Sequence, residues 1–177
     1  MPNTMLILDA AALRRALTRI AHEIAERNEA SNEVALIGVQ RRGVFLAERL
    51  ADILQKIWSH PVLIGRLDVS MHRDDLNRHA APQIHPTVIP FDITGKTVIL
   101  VDDVLFSGRT TRAAMDALND FGRPRRIQLA VLIDRGHREL PIKADFVGKN
   151  VPTAASERIK AHFREEGGED EVMLQRI

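Results

Sequence analysis

Two adjacent carboxylates and the polar turn that follows them are the residues of this sequence best placed to do chemistry. Asp102 and Asp103 come directly after the apolar run 97–101, and the turn 107–111 (SGRTT) carries three hydroxyls, a glycine and an arginine. Carboxylates accept hydrogen bonds from sugar hydroxyls, and the unpaired N–H groups at the start of a helix favour an anion. The pattern therefore suits a ligand that carries both a sugar and a phosphate.

The elements around this stretch place it at one edge of a sheet. The run 97–101 is β-branched and aliphatic throughout, which predicts a strand buried on both faces of a parallel sheet. The acid pair then lies at the carboxyl end of the strand, where open α/β sheets bind their ligands. The turn 107–111 is predicted to open a helix that stops at Gly122 and buries Ala114, Leu118 and Phe121.

A second strand-to-helix turn carries two arginines. Residues 34–39 predict a core strand and residues 43–56 a helix, with Gln40, Arg41 and Arg42 between them. Guanidinium groups beside a glycine that lets the backbone approach closely suit a pyrophosphate. The alternative is that both arginines decorate a surface turn; the acid pair downstream favours the anion site.

The remaining pattern completes an α/β fold. Apolar residues recur at helical spacing from Asp9 to about Arg27, and strands are predicted at 62–71, 126–133 and 144–147. Alternating apolar residues predict a terminal hairpin: Ile159, Ala161, Phe163, Val172 and Leu174. We expect a single domain, 1–177, with a central, mostly parallel sheet flanked by helices and a C-terminal strand pair.

Residues 73–86 break this pattern, because they combine charges, prolines and histidines without apolar periodicity. We interpret the region near 72–90 as a long mobile hairpin or loop. A functional loop of this length could close over a substrate and exclude water. A disordered insertion without function is the alternative, and both interpretations stay open.

Composition excludes several classes of protein. The 177 residues contain no cysteine, which excludes thiolate catalysis and cysteine-ligated metal. No signal-peptide pattern or run of transmembrane length is found, so a soluble, cytoplasmic protein with no membrane partner is expected. The 25 Lys and Arg balance 24 Asp and Glu, so any nucleic-acid surface depends on local clustering of charge.

The acid pair and its turn resemble the phosphoribosyl-pyrophosphate (PRPP) motif of type I phosphoribosyltransferases. Other segments look like the bacterial PyrR family in the same order: 16–24, 41–51, 72–76 and 134–153. Members of that family are pyrimidine operon regulators that bind messenger RNA and are uracil phosphoribosyltransferases. The resemblance runs from about Leu6 to Glu157, and it implies a type I phosphoribosyltransferase fold.

The reaction implied by the resemblance is uracil plus PRPP giving UMP and pyrophosphate, with Mg²⁺ held mainly through PRPP and pyrophosphate. Asp102 and Asp103 would hold the ribose hydroxyls and stabilise a cation-like sugar, and Arg41, Arg42 and Arg73 are candidates for the pyrophosphate charge. The expected contacts of the 5′-phosphate are Val104, Leu105, Phe106, Ser107, Gly108, Arg109, Thr110 and Thr111. The expected contacts of uracil are Asp134, Arg135, Gly136 and Val151.

Base choice rests on one position. Hypoxanthine-guanine enzymes place an acid four residues after the first acid of the pair, where it serves the purine ring, and this chain has Phe106 there. This difference argues against a hypoxanthine-guanine enzyme. Uracil carries no carboxylate and can be read by backbone groups of the turn at Asp134, Arg135 and Gly136.

The resemblance also implies an RNA surface on the first helix. Matching residues there are Thr18, Arg19, His22 and Arg27, and four others supply basic or ring-bearing groups: His137, Arg138, Lys143 and Lys149. On composition alone, the helix residues would form an ordinary solvated face. The expected partners are PRPP, uracil, UMP or UTP, the 5′ leader of a pyrimidine operon messenger RNA, and further copies of the chain in a homodimer or homotetramer.

Two rival functions stay open from the sequence. One is an RNA-binding regulator whose phosphoribosyltransferase site turns over too slowly to matter. The other is a salvage phosphoribosyltransferase for another base, in which the basic helix only solvates the surface.

Overall fold

The computed structural model of the protein describes residues 3–72 and 85–177. In these ranges the chain forms eight strands and three α-helices, joined by short 3₁₀ turns. The strands are β1 (Thr4–Leu8), β2 (Val34–Val39), β3 (Leu63–Leu67), β4 (Thr97–Leu105), β5 (Arg126–Asp134), β6 (Phe146–Asn150), β7 (Glu157–His162) and β8 (Glu171–Arg176). The α-helices are α1 (Ala10–Arg27), α2 (Arg42–Trp58) and α3 (Arg109–Leu118).

A five-stranded parallel sheet forms the centre of the fold, in the order β3-β2-β4-β5-β6. Every residue of β2 is buried, as are the first five residues of β4. Such continuous apolar strands are expected where helices cover both faces of a sheet. The predicted fold class and the buried strand at 97–101 are therefore confirmed.

Helices cover the sheet on both faces. The apolar sides of α1 and α2 pack with β2 and β4 into one core cluster, whereas α3 packs into a second cluster with Ile37, Val98 and Leu100. Asp9 caps α1, since its Oδ1 accepts a hydrogen bond of 2.8 Å from the N–H of Ala12. The helix predicted to run from Asp9 to Arg27 is present at those bounds.

Two glycines bring the start of α2 against the sheet, Gly43 against β4 and Gly38 of β2 against α2. A Cβ on Gly43 would lie 2.2 Å from the carbonyl oxygen of Val101, and a Cβ on Gly38 would lie 2.5 Å from the Cα of Val44. Real side chains do not tolerate such distances, so only glycine permits this contact. The contact places Arg42, the first residue of α2, beside the point where β4 reaches its two acids.

A smaller antiparallel sheet, which we call the hood, lies outside the central sheet. It has the order β1-β8-β7, and its β7–β8 hairpin confirms the predicted terminal strand pair. The strand β1 was not predicted, because Met5 and Leu6 are more than half exposed and their pattern does not alternate. Phe163, at the end of β7, is fully buried in the core that contains α1 and α2.

Arg49 of α2 ties the hood to the central core. Its guanidinium donates to both carboxylate oxygens of Glu165 at 2.9 and 2.6 Å, and to both of Asp170 at 2.9 and 2.8 Å. It also lies over the ring of Phe163, 5.4 Å from the centroid. Burial alone would lower the pKa of Arg49, but the bonds to both carboxylates outweigh it and raise that pKa.

Several predicted boundaries were wrong, and local hydrogen bonds explain why. The helix α3 ends at Leu118 rather than Gly122, because residues 119–121 turn through bonds to the third residue back; Phe121 is 39% exposed. The strand β3 ends at Leu67, since the carboxylate of Asp68 accepts the N–H of Ser70 and turns the chain. The strand β6 begins two residues later than predicted and runs to Asn150, paired with β5.

The predicted loop near 72–90 lies mainly outside the described residues, and so does Arg73. Of the part that is described, Val88 makes one antiparallel bridge to Arg66 of β3. Within residues 3–72 and 85–177, no helix combines the length and the apolar character that a bilayer span requires.

Replacing Arg49 by alanine should release the hood, because it leaves the carboxylates of Glu165 and Asp170 without the cation that binds both of them. We expect the free energy of unfolding to fall by about 3 kcal/mol, measured by urea denaturation at about pH 7. The matched control is Arg66→Ala, which breaks an exposed pair with Glu48 and should cost less than about 1 kcal/mol. Equal losses in the two variants would contradict the role of Arg49.

The same ion cluster predicts a pH dependence. Burial alone would raise the pKa of Glu165 and of Asp170, but hydrogen bonds from Arg49 outweigh it, so both lie below their ordinary values. Carboxyls with depressed pKa values stabilise the fold above about pH 4 and lose that contribution as the pH falls through the depressed values. The difference in unfolding free energy between wild type and Arg49→Ala should therefore shrink on acidification. A difference that is constant down to about pH 2 would contradict this account.

Candidate active site

Asp102 and Asp103 lie where β4 continues beyond the end of its pairing with β2. Pairing with β2 ends at Gly38 opposite Val101, whereas pairing with β5 continues until Leu105 lies opposite Asp134. The prediction that β4 ends before its acids was therefore wrong: Asp102 and Asp103 are within the strand, along a stretch that is open on the β2 side. They nevertheless stand at the carboxyl edge of the sheet, where a ligand is expected.

Main-chain hydrogen bonds orient both carboxylates. Oδ1 of Asp102 accepts the N–H of Asp103 at 2.9 Å, and Oδ1 of Asp103 accepts the N–H of Val104 at 2.9 Å. Both side chains are half-buried, so their negative charges are partly shielded from water. Both line the same cavity of about 360 Å³, and Asp102 also lines a second one of about 310 Å³.

The 310 Å³ cavity is formed by the loop that follows β4. We call residues 106–111 the motif loop; with Val104, Leu105 and Glu139 they line this cavity. Gly108 precedes the first residue of α3 with a φ of +92°, a conformation that L side chains rarely adopt. The N–H groups of Thr110 and Thr111, in the first turn of α3, favour an anion at this end of the helix, and the N–H of Arg109 donates to Oγ of Ser107 at 3.3 Å.

The 360 Å³ cavity brings the arginine turn to the acid pair. It is lined by Val39, Gln40, Arg41, Arg42, Asp68, Val69, Ser70, Asp102, Asp103, Val104, Thr110 and Glu166. The peptide between Gln40 and Arg41 is cis. Because Asp102, Val104 and Thr110 line both cavities, the acid pair stands between the helix N-terminus on one side and the two arginines on the other.

Arg42 has a carboxylate partner in this cavity. Its Nε donates to Oε2 of Glu166 at 3.2 Å, and that oxygen also accepts the N–H of Phe163 at 3.2 Å. Burial alone would raise the pKa of Glu166, but these hydrogen bonds and the charges of Arg42 and Arg41 lower it. Glu166, in the β7–β8 connection of the hood, is therefore a carboxylate whose negative charge balances the positive charges of Arg41 and Arg42.

A third cavity, of about 470 Å³, lies at the end of β5. We call residues 134–138 the β5 turn; all five line this cavity, together with Asn150, Pro152 and Thr153. The guanidinium of Arg135 is buried, donates to Oγ1 of Thr153 at 3.1 Å, and lies over the ring of Phe106, 4.2 Å from its centroid. Of the four residues predicted to contact uracil, only Val151 is outside the lining: it is buried, and its N–H donates to the carbonyl of Asp134.

The sequence as a whole matches proteins of known family. The phosphoribosyl transferase domain model matches residues 6–163. The bifunctional protein PyrR of Roseiflexus sp. (strain RS-1) is 63% identical over 172 residues, which are 96% of this chain and 94% of that protein. The chain belongs to the PyrR family of phosphoribosyl transferases. The bifunctional protein PyrR of Streptomyces coelicolor is 57% identical over 169 residues, covering 95% of this chain and 88% of its own length.

Solved structures agree on the fold. A hypoxanthine-guanine phosphoribosyltransferase of Bacillus anthracis superposes with a TM-score of 0.72 at 20% identity, covering 97% of each chain. The hypoxanthine phosphoribosyltransferase of Trypanosoma cruzi, in complex with the product IMP, gives 0.74 at 19% identity, covering 97% of this chain and 93% of that one. The predicted PyrR family, type I phosphoribosyltransferase fold and transferase class are confirmed.

The residues predicted to bind RNA fall into two places in this PyrR-family protein. Thr18, Arg19, His22 and Arg27 are exposed along α1. Arg19 donates to the carbonyls of Val147 and Gly148 in β6, and Arg27 pairs with Asp145 at 3.5 Å just before β6. These contacts bring the helix face beside the exposed Lys149 of β6, with Lys143 exposed earlier in the same segment.

His137 and Arg138 instead lie in the β5 turn, at the carboxyl edge of the sheet. His137 has a φ of 62°, and its Nε2 lies 2.5 Å from the carbonyl oxygen of Thr153. Arg138 is only 23% exposed at its side chain and donates hydrogen bonds to Asp134, to Ile142 and to Phe106 of the motif loop.

Four acidic or hydroxyl residues at these cavities were missed from the sequence. Asp68 and Ser70 follow β3 directly, so the strand-end rule that found Asp102 could also have found them. Glu139 pairs with Arg109 at 3.0 Å, and Glu166 with Arg42. No local signal marked the two glutamates, because the loop after the β5 turn and the hood bring them back to the edge from far along the chain.

Replacing Gly43 by alanine should separate α2 from β4, since the new methyl group would meet the carbonyl of Val101. We expect a loss of about 2 kcal/mol in unfolding free energy, as for an overpacked core. The control is Gly65→Ala, whose nearest neighbour is the movable side-chain Cγ1 of Ile89 at 3.1 Å, and which should cost clearly less. An equal loss in the two variants, by thermal or urea unfolding, would contradict the proposed close contact.

Proposed function

We propose that this PyrR-family protein transfers the phosphoribosyl group of PRPP to uracil, giving UMP and pyrophosphate, and that it also binds the leader of a pyrimidine operon messenger RNA. One observation carries the enzymatic half. Asp102 and Asp103 stand between a helix N-terminus that favours a phosphate and a turn with two arginines that suits a pyrophosphate. PRPP is a ribose with a 5′-phosphate at one end and a pyrophosphate at the other, so its charges match this order.

The positive charge that develops on the ribose during the reaction determines which protein groups can promote it. The bond from the anomeric carbon to pyrophosphate breaks and the bond to N1 of uracil forms, while the proton of N1 passes to the departing pyrophosphate or to water. The sugar is cation-like as this happens, so carboxylates fixed beside it stabilise the transition state more than the ground state. Asp102 and Asp103 are already oriented by the N–H groups of Asp103 and Val104, and neither needs to accept a proton.

The two ends of PRPP have separate partners in this proposal. The 5′-phosphate is held by the N–H groups and hydroxyls of Ser107, Gly108, Thr110 and Thr111, with further main-chain contacts from Val104 to Arg109. The pyrophosphate is held by Arg41 and Arg42. Arg73 remains a proposed third cation, and it lies outside the described residues.

Mg²⁺ fits the chemistry of this site. It prefers hard oxygen ligands and is usually held by one or two carboxylates together with substrate phosphates. Asp102 and Asp103 supply such carboxylates at the 360 Å³ cavity, and no cluster of three or more acidic or histidine ligands occurs among residues 3–72 and 85–177. As the family resemblance implies, the ion would be held largely through PRPP, and when bound it would neutralise the charge of the pyrophosphate.

Uracil is proposed to lie in the cavity of the β5 turn. Gly136 and its neighbours offer main-chain groups there, which suits a base that carries both carbonyl acceptors and N–H donors. The ring of Phe106 stands where hypoxanthine-guanine enzymes carry an acid, and the guanidinium of Arg135 lies over it.

The experiment that tests the activity is UMP formation from PRPP and uracil with Mg²⁺, compared with orotate, hypoxanthine and guanine as acceptors. Preference for a purine would overturn the assignment.

The RNA half rests on the α1 face with Lys143 and Lys149, and His137 is a further proposed contact. Arg138 is a weaker candidate, because all three nitrogens of its guanidinium are already bound within the protein. Messenger RNA and PRPP are both cytoplasmic in bacteria, so we propose that the protein acts in the cytoplasm. In keeping with the family resemblance, we propose that it forms a homodimer or homotetramer. Because the RNA and nucleotide surfaces belong to one chain, UMP or UTP can favour the RNA-binding state. Such coupling is reciprocal: RNA must raise nucleotide affinity by the same factor.

Asp103→Asn should remove one of the charges that stabilise the cation-like sugar. We expect kcat to fall about a hundredfold or more in the uracil assay, with thermal unfolding and RNA affinity unchanged. The control is Asp116→Asn, an equal change of charge on the exposed face of α3, which should keep full activity. Full activity in Asp103→Asn, or its loss through unfolding, would contradict the assignment.

His22→Ala and Lys149→Gln should weaken binding to the leader RNA and leave uracil transfer intact. In Lys149→Gln, loss of one phosphate contact should make the dependence of affinity on salt less steep by about one charge, measured by filter binding at several salt concentrations. Lys160→Gln, an equal change of charge on the exposed face of β7, is the control and should bind RNA like the wild type. Unchanged affinity in both test variants would refute this surface.

A further inference from the structure

The motif loop and the β5 turn are docked on each other by main-chain hydrogen bonds. The carbonyl of Ser107 accepts the N–H groups of Glu139 and Leu140 at 2.9 and 3.2 Å, and the carbonyl of Leu105 accepts the N–H of Arg135 at 3.1 Å. One of these two segments lines the cavity at the helix N-terminus, and the other lines the cavity at the end of β5.

Arg138 is the side chain that holds this junction together. Its Nε donates to the carbonyl of Ile142 at 2.8 Å, one terminal nitrogen donates to the carbonyl of Phe106 at 2.9 Å, and the other to Oδ2 of Asp134 at 2.5 Å. All three nitrogens of the guanidinium therefore have acceptors, and the carbonyl of Phe106 is the one that lies on the motif loop. Only the planar fork of arginine offers donors in this fixed arrangement; an ammonium group is a single point charge.

The same contacts form a continuous chain between the two cavities. The N–H of Gly136 donates to Oδ1 of Asp134 at 3.0 Å, and Oδ2 of that carboxylate binds Arg138, which in turn binds the carbonyl of Phe106. A shift of Gly136 would therefore be transmitted to the motif loop through the carboxylate of Asp134 and the guanidinium of Arg138. The side chain of Phe106 is tied to the same turn, because Arg135 lies over its ring.

We propose that Arg138 is a positioning residue that couples the base subsite to the 5′-phosphate subsite, so that both ends of one nucleotide meet a single rigid surface. The inference rests on the proposed function, because it takes these cavities as the sites for uracil and for the 5′-phosphate. Arg138 acts through Asp134 and through the backbone of Phe106, and needs no contact with the ligand. Rigid placement of both ends lowers the cost of ordering the site when UMP binds.

Arg138→Lys tests this role while it keeps the positive charge. Lysine is unable to reproduce three separate contacts, so we expect UMP affinity to fall about tenfold and the KM for uracil to rise, as for loss of hydrogen bonds to a charged group. Pyrophosphate binds at the other end of the site, beside Arg41 and Arg42, so its inhibition constant should not change. A general loss of structure would weaken both ligands. Arg138→Gln, which also removes the charge, should show the same split.

The partner of Arg138 supplies an independent check. Asp134→Asn should weaken UMP binding by a similar factor, because its amide nitrogen offers a donor where Arg138 needs an acceptor. If both residues belong to one chain of contacts, the double variant Asp134→Asn with Arg138→Lys should bind UMP no more weakly than the worse single variant. Additive losses would show that the two residues act separately and would overturn the coupling.

The control for charge and surface position is Arg112→Gln, which replaces an exposed arginine of α3 whose side-chain Nε lies 4.0 Å from Oδ2 of Asp116. It should bind UMP like the wild type. Wild-type UMP affinity in both Arg138 variants would overturn the proposal. An equal loss of UMP and pyrophosphate binding would also overturn it, because it would show that Arg138 only stabilises the fold. Failure of the wild type itself to form UMP would instead refute the proposed function.

Discussion

The close contact of α2 with β4 is the constraint on which the rest of the site depends. Gly43 lets the first turn of the helix reach the carbonyl of Val101, at the last residue that β4 pairs with β2. Beyond this point the strand is open on one side, and its next two residues are the acids. A side chain at position 43 would push the turn that carries Arg41 and Arg42 away from the two acids. Packing of α2 against β4 therefore sets how far these arginines lie from the carboxylates.

Charge is arranged along this edge in a definite order. A helix N-terminus, a pair of carboxylates and a pair of arginines follow one another, while glutamates from elsewhere in the chain balance the exposed cations. Glu166 reaches the edge only because the hood is held in place by Arg49 and its two carboxylate partners. The hood therefore contributes to the electrostatics of the site, although it lies outside the central sheet.

The sequence predicted the elements that carry local signals. Continuous apolar strands, the helical periodicity from Asp9 to about Arg27 and the motif around Gly108 each leave a signal in the local sequence, and the fold class followed from their order. The extension of β4 to Leu105 was missed because it depends on pairing with β5, and β1 was missed because its residues are mostly exposed. Glu139, Glu166 and the contacts of Arg138 arise from tertiary packing, which no local pattern encodes.

We propose that one nucleotide spans the edge of the sheet from the motif loop to the β5 turn. A crystal structure of the protein with bound UMP would test this placement. We expect the phosphate to lie on the N–H groups at the start of α3, the ribose hydroxyls to face Asp102 and Asp103, and the base to lie beside Gly136. A phosphate bound at the arginine turn, or a nucleotide bound away from this edge, would contradict it.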